Sequence, residues 1–151
     1  MLLIKLGGGQ NINREAIIRD LGQLNEQAII IHGANAVRDQ LAVDLGTPIQ
    51  TITTPQGYTS TRTDEGAMDI FMQAYAGLMN KRIVEICHQQ GVNAIGLSGI
   101  DGGLIRGNRK KAIRSQLDGK VKVIRDDFSG KPTSINVDLI TLLIEQGYTP
   151  V

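Results

Sequence analysis

The chain has 151 residues, 41% hydrophobic and 21% charged, a globular balance that excludes a disordered tail, a collagen-like fibre and a coiled coil. Sixteen Lys and Arg against fifteen Asp and Glu leave a net charge of +1, and aromatics are 3% with no Trp, so neither bulk polyanion binding nor base stacking on single-stranded nucleic acid is expected. One cysteine, Cys87, permits no intrachain disulfide or cysteine zinc cluster and fits a reducing, cytoplasmic compartment, and no apolar run approaches the roughly 18 residues of a membrane span.

Leu2–Leu6 is a short apolar run ending in glycines and reads as a buried strand. The N-terminus has no basic region and too short an apolar run for a signal peptide. Lys5-Leu6-Gly7-Gly8-Gly9 closes the strand. A lysine there points toward the carboxyl edge of a parallel sheet, where ligands bind in open α/β folds. The glycines let backbone N–H groups approach an anion, and the helix beginning near Asn13 adds a positive dipole end. A phosphoryl group in transfer requires such an ammonium and such amides. The GxxxxGK[ST] spacing of a Walker A loop is absent, and the plainer alternative is a tight turn beside a surface lysine.

Asn13 is the expected cap of a helix to about Leu24, apolar at positions 16, 17, 18, 21 and 24. Ala28–Ile31 reads as a second strand. His32-Gly33-Ala34-Asn35-Ala36 repeats the order of strand end, glycine and helix start, an arrangement able to hold a carboxylate on backbone amides. His32 is either an acid–base candidate or a hydrogen-bonded structural residue. The next helix runs over Ala36–Leu45 and closes at Gly46. Residues 47–63, rich in Thr, Pro and Gly around Ile49, Ile52 and Tyr58, predict a hairpin or extended loop. Arg62 is placed to grip a carboxylate with two parallel hydrogen bonds. Thr63 and Asp64 cap a long helix, whose apolar positions Ala67, Ile70, Phe71, Ala74, Tyr75, Leu78, Ile83, Ile86 and Cys87 follow a 3.6-residue period to about Gln90.

Asn93–Leu97 reads as a third central strand. Its loop, Ser98–Gly103, implies either close backbone packing, a ligand near the main chain, or a plain turn. Residues 104–125 hold eight of the sixteen basic residues: Arg106, Arg109, Lys110, Lys111, Arg114, Lys120, Lys122 and Arg125. The neighbouring acids are Asp118, Asp126 and Asp127. Asp118-Gly119 between Ile113 and Val121 signals a hairpin. The basic β-excursion so defined either protects its own edges or attracts an acidic partner. Ser134–Gln146 predicts a last helix. Gly147–Val151 begins a strand without the covering helix that a sheet buried on both faces needs, so a missing C-terminal half is expected. The alternation of strand and helix favours a parallel sheet with helices on both faces.

In this order the pieces resemble the amino acid kinase family over the whole chain. The most specific stretches are Gly77-Leu78-Met79-Asn80-Lys81-Arg82-Ile83-Val84 and the run Asn93–Ile105. Arg109-Lys110-Lys111 and Gly147–Val151 are similar to one branch of it. That branch, related to N-acetylglutamate kinase, acts on aminoadipate or glutamate attached to a small acidic amino-group carrier protein in lysine and arginine biosynthesis. The resemblance implies an α/β fold, an open three-layer αβα sandwich with a mainly parallel sheet, plus the basic β-hairpin excursion. Residues 1–151 would be its N-terminal, acyl-substrate-binding half; the C-terminal half, which binds ATP and Mg2+, would be absent from this chain. The implied reaction is ATP-dependent phosphorylation of a side-chain carboxylate to an acyl phosphate.

Carried onto this chain, the resemblance makes Lys5 the lysine that stabilises the transferring phosphoryl group, with Gly7 and Gly8 facing the phosphate. Gly33, Ala34 and Arg62 would bind the acyl substrate. Arg109, Lys110, Lys111 and Arg114 would receive the acidic tail of the carrier protein. No metal ligand is expected within the chain, and the family's second lysine and organising aspartate would lie beyond Val151. A homodimer, with the long helix as a candidate interface, is also implied; nucleic acid and membrane are not expected partners. Two positions depart from the pattern. Ala34 stands where the family has a second glycine, and a positive φ there would be costly. Thr61 stands where the substrate-gripping arginine belongs, and Arg62, one residue later, points the opposite way on an extended segment. The alternatives are an N-acetylglutamate kinase acting on the free small molecule and a non-catalytic amino-acid-binding module.

Overall fold

Runs dominated by Leu and Ile, interrupted in the first by Lys5, make strands of Leu2–Leu6 (β1) and Ala28–His32 (β2), which pair in parallel with Leu6 opposite His32. In the computed structural model, which describes residues 1–24, 26–117 and 120–151, the helix Arg14–Leu24 (α1) connects them. The Asn13 side chain accepts the Ala16 N–H at 3.0 Å, the expected cap. After β2, Asn35–Asp44 forms α2. Thr51–Thr53 (β3) and Thr59–Thr61 (β4) make the antiparallel hairpin expected within residues 47–63. Asp64 accepts the Ala67 N–H at 3.1 Å and caps Glu65–Phe71 (α3).

The long helix then departs from expectation. Met72–Met79 is π-helical, and Asn80–Gln89 (α4) resumes α geometry. Its buried apolar residues are Ala67, Ile70, Ala74, Met79, Ile83 and Cys87. Steps of three and four are interrupted by one of five, from Ala74 to Met79. A continuous 3.6-residue period would bury Leu78, which is instead 48% exposed. The wider π turn absorbs the extra residue and keeps one apolar face toward the core.

The third strand is shorter than Asn93–Leu97 and comprises only Ala94–Ile95 (β5). Beyond it the basic excursion is larger than one hairpin. Ile105–Arg109 (β6), Ile113–Leu117 (β7), Lys120–Ile124 (β8) and Gly130–Ile135 (β9) make two antiparallel ribbons, β6 with β9 and β7 with β8. The Asp118-Gly119 turn lies outside the described residues. Ser134 and Ile135, expected in the last helix, stay in β9 because β6 supplies their partners. Asn136 then caps Val137–Glu145 (α5) by accepting the Leu139 N–H at 3.2 Å. Thr149–Pro150 (β10) pairs in parallel with β5 and lies beside β2.

The helices α1 and α4 pack on one face of these parallel strands, around Leu6, Ile18, Leu21, Ile30, Ile83, Cys87 and Val151. On the other face α5 covers β10, giving the αβα layering of the expected fold. That cover stops short of β1, and the expectation of a buried opening strand is corrected. Among the described residues β1 pairs only with β2, and Leu3 is 69% and Ile31 51% exposed. Both line a groove of about 420 Å³, shared with Ile105, Ile135 and Val137.

Removing the Ile83 side chain, fully buried between α4 and the sheet, should destabilise the chain by about 2–5 kcal/mol in urea unfolding. Val121→Ala, on the exposed β8, should change it by less than about 0.5 kcal/mol. Similar effects at both positions would contradict this placement of the core.

Candidate functional site

The two parallel strands end in glycine turns that touch at the carboxyl edge. The Gly33 N–H donates to the Leu6 carbonyl at 2.9 Å, and the Ala36 N–H to the Gly8 carbonyl at 3.0 Å. A Cβ on Gly8 would lie 2.6 Å from the amide nitrogens of both Ala34 and Asn35, and one on Gly33 would lie 2.9 Å from the Gly8 nitrogen. Main chain meets main chain here, which only glycine allows. The N–H groups of Gly7, Gly8, Gly9, Ala34 and Asn35 donate to no acceptor among the described residues. Ala34 and Asn35 also begin α2, so its dipole adds to the positive field. Ala34 has a φ of −143°, so alanine is unstrained where the family pattern has its second glycine. Arg14 holds the first turn, its Nη2 donating to the Gly9 carbonyl at 2.9 Å and the Gly7 carbonyl at 3.4 Å. Lys5 lies opposite Ile31 in the register and is exposed. Strand alternation puts it on the face of Leu3, away from the buried Leu6.

A buried amide ties the neighbouring strand ends together. Asn80 is 1% exposed. Its Nδ2 donates to the Val151 carbonyl at 2.9 Å and to His32 Nε2 at 3.3 Å, while Lys81 Nζ donates to its Oδ1 at 3.1 Å. An ammonium on one side and a carbonyl on the other fix the amide orientation, so His32 Nε2 must accept and the ring proton sits on Nδ1. Burial holds the His32 pKa below the ordinary histidine value; the Gly33 backbone pulls it up and the Arg14 charge adds to the lowering. His32 is thus held through Nε2 by Asn80, while its buried Nδ1 meets no hydrogen-bond partner among the described residues.

Arg62 is elsewhere. It donates to Gln50 Oε1 at 3.0 Å and to Asp126 Oδ2 at 2.6 Å, and lies 3.6 Å from Asp64. It lines a cleft of about 490 Å³ with Ser115, Lys122 and Arg125 between β3 and the β7–β8 ribbon. None of the cleft's lining residues belongs to the glycine turns. Arg109 is engaged within its own ribbon. It donates to the carbonyls of Asp127 at 2.9 Å and Arg125 at 3.1 Å, and stacks 4.1 Å from the Phe128 ring centroid. Lys110, Lys111 and Arg114 extend into solvent. The structure thus brings Gly7, Gly8, Gly33 and Ala34 to one edge and leaves Arg62 in a second cleft with Lys122 and Arg125, which Arg109, Lys110, Lys111 and Arg114 do not line.

The sequence reading gave no site role to Asn80, Tyr75 or Asp127. The Tyr75 hydroxyl donates to Asn35 Oδ1 at the start of α2. The five-residue apolar step was the available signal for the π turn that carries Tyr75. Asp127, 3% exposed, accepts the Thr63 and Ser129 N–H groups, each at 2.8 Å, and so pins the ribbons to the long helix. Burial pushes its pKa up, but the hydrogen bonds from Ser129 and Thr63, with the Lys110 charge, outweigh it and leave the pKa below the usual carboxylate value. Among the described residues there is no cluster of His, Cys, Asp and Glu able to hold a metal ion, and no described helix is long and apolar enough to cross a membrane.

Parallel strands ending in facing glycine turns, beneath helices on both sides, match a known class. The amino acid kinase family pattern covers residues 1–151, and the chain belongs to that family. It is 42% identical to the "[LysW]-aminoadipate kinase" of Thermus thermophilus, aligned over 100% of this chain and 57% of that protein. Identity is also 42% to the "[LysW]-aminoadipate kinase" of Deinococcus radiodurans, over 100% of this chain and 53% of that one. The chain spans about half the length of the curated relatives it matches. Among solved structures, smu.665 from Streptococcus mutans UA159 superposes with a TM-score of 0.70 at 21% identity, over 99% of this chain and 56% of that one, a likeness of fold alone.

A depressed carboxylate pKa contributes stability that is complete above the unfolded value of about 3.9 and is lost as pH falls through the lower folded value. The Thr63 and Ser129 amides should therefore lose hydrogen-exchange protection below about pH 4, and Asp127→Asn should reduce that acid step. Protection unchanged down to about pH 2, below the ordinary carboxylate range, would contradict the anchoring role of Asp127.

Proposed function

We propose that residues 1–151 are the N-terminal, acyl-substrate-binding half of an amino acid kinase that phosphorylates the side-chain carboxylate of aminoadipate or glutamate carried on a small acidic protein. The product is an acyl phosphate. The observation carrying this reading is the pair of glycine turns pressed together at the carboxyl edge, with unpaired amides on both. Such amides and a nearby ammonium favour an anion whose charge grows during transfer. The shared identity of 42% with two aminoadipate kinases supports the substrate class.

In this reading Lys5 neutralises the equatorial oxygens of the migrating phosphoryl group, and the Gly7 and Gly8 amides hold the phosphate. The Gly33 and Ala34 amides orient the acyl substrate. Arg62 grips a substrate carboxylate by exchanging it for Asp126. Lys110, Lys111 and Arg114, on a ribbon braced by Arg109, receive the acidic tail of the carrier through charge complementarity. ATP, when bound, supplies the phosphoryl group. The free amides fit its phosphates, whereas the described residues offer no carboxylate cluster for Mg2+, so both are assigned mainly to a C-terminal half. That half would cover the open groove along β1, where apolar Leu3, Ile31, Ile105, Ile135 and Val137 face water. The functional unit in this reading is a cytoplasmic homodimer joined through the long helix, on which Met72 and Leu78 are exposed.

With ATP and carrier-bound aminoadipate, residues 1–151 alone should give no turnover. In a version extended to the length of the relatives, Lys5→Ala should lower kcat by about 10²–10³-fold with little change in the acceptor KM. Turnover by the 151-residue chain, or a Lys5→Ala variant altered only in KM, would contradict the assignment.

A further inference from the structure

The π-helical turn places two side chains on either side of the second glycine turn. The Asn80 N–H donates to the Tyr75 carbonyl, five residues back, so the two residues lie one above the other on one π turn. In a continuous α-helix they would point about 140° apart, at roughly 100° per residue. From this shared face the Tyr75 hydroxyl reaches Asn35 Oδ1, just after the Gly33-Ala34 pair. Asn80 Nδ2 reaches His32, just before it. The second grip is built with care for space. A Cβ on Gly96 would fall against Asn80 Oδ1 and 2.7 Å from Lys81 Nζ, so the β5 end is bare where the amide and ammonium sit. The apolar residues of the helix need only a five-residue step to stay buried. They do not need a tyrosine hydroxyl and a buried amide, and both polar groups converge on one short turn.

We propose that the π turn at Met72–Met79 is a positioning device for the Gly33–Asn35 amides, with Tyr75 and Asn80 as positioning residues that clamp the turn from its two ends. Its purpose rests on the phosphotransfer reading, in which those amides orient the acyl substrate; its geometry does not. The clamp acts through bonds already in place: Gly33 N–H to Leu6, Ala36 N–H to Gly8 and Arg38 N–H to Ala34. Loosening either end should free these together.

The test uses the 151-residue chain labelled with 15N. Tyr75→Phe and Asn80→Ala should each speed hydrogen exchange at the Gly33, Ala36 and Arg38 amides by about tenfold, the worth of one hydrogen bond, and leave Val123 in the β7–β8 ribbon unchanged. Deleting Gly77 converts the step of five into four and should speed exchange at the same amides as combining Tyr75→Phe with Asn80→Ala. The groups facing His32 are Asn80, Arg14, the Gly33 backbone and, through Asn80, Lys81. Asn80→Ala should therefore release the Nδ1–H tautomer and move the His32 titration seen by NMR, while Tyr75→Phe leaves that titration in place. Exchange at Gly33 and Ala36 unaltered in Tyr75→Phe, or a His32 titration indifferent to Asn80→Ala, would overturn the proposal. No readout involves turnover, so a failed kinase assay leaves these outcomes standing, and their failure leaves the kinase reading standing.

Discussion

The structure depends on one close approach, the main chain of Gly8 against that of Gly33 and Ala34. No side chain fits between them. The contact brings the ends of β1 and β2 together and turns their following segments so that N–H groups without an acceptor among the described residues lie on the same edge. Parallel pairing fixes the direction of both strands, and the helix starting at Asn35 points its positive end to the same place. An anion site of this kind needs no charged residue to exist. In the proposed reading, Lys5 and the helix dipole add their charge to this cradle of backbone amides.

Rigidity around that contact comes from polar groups as much as from packing. Arg14 holds the carbonyls of the first turn, Asn80 ties β2 to β10, and Tyr75 touches the start of α2. The aliphatic cluster beneath, from Ile18 to Cys87, supplies most of the burial. It cannot by itself fix the direction of an amide, whereas hydrogen bonds can. The basic ribbons stand apart, joined to this frame through Asp127 at the long helix and through Arg62 at the hairpin.

Much of this was legible in the sequence where local chemistry decides structure. Asn13 and Asp64 were readable as caps because a short polar side chain before an apolar run has one good use. The glycine turns at Gly7–Gly9 and Gly33, the hairpin around Gly57 and the basic excursion were readable for similar reasons. The rest depends on partners distant in the chain. Ser134 and Ile135 belong to β9 only because β6 lies beside them. The opening strand has an apolar sequence suited to burial, yet the face carrying Leu3 meets water because no described element covers it. The π turn sits in a helix of nearly regular period, and reading Leu78 rather than Met79 as the buried residue only moves the five-residue step from Ala74–Met79 to Leu78–Ile83. Arg62 was readable as a guanidinium beside a helix start, but its present partners, Gln50 and Asp126, come from separate segments.

The central claim is that the facing turns form an anion cradle completed by Lys5. Titrating the 15N-labelled chain with inorganic phosphate at constant ionic strength tests it most directly. The account predicts that the Gly7, Gly8, Ala34 and Asn35 amides shift together along one saturating curve, and that the curve weakens when Lys5 is neutralised. Shifts confined to the ribbon around Lys110, Lys111 and Arg114, or no saturable response at the glycine turns, would contradict it.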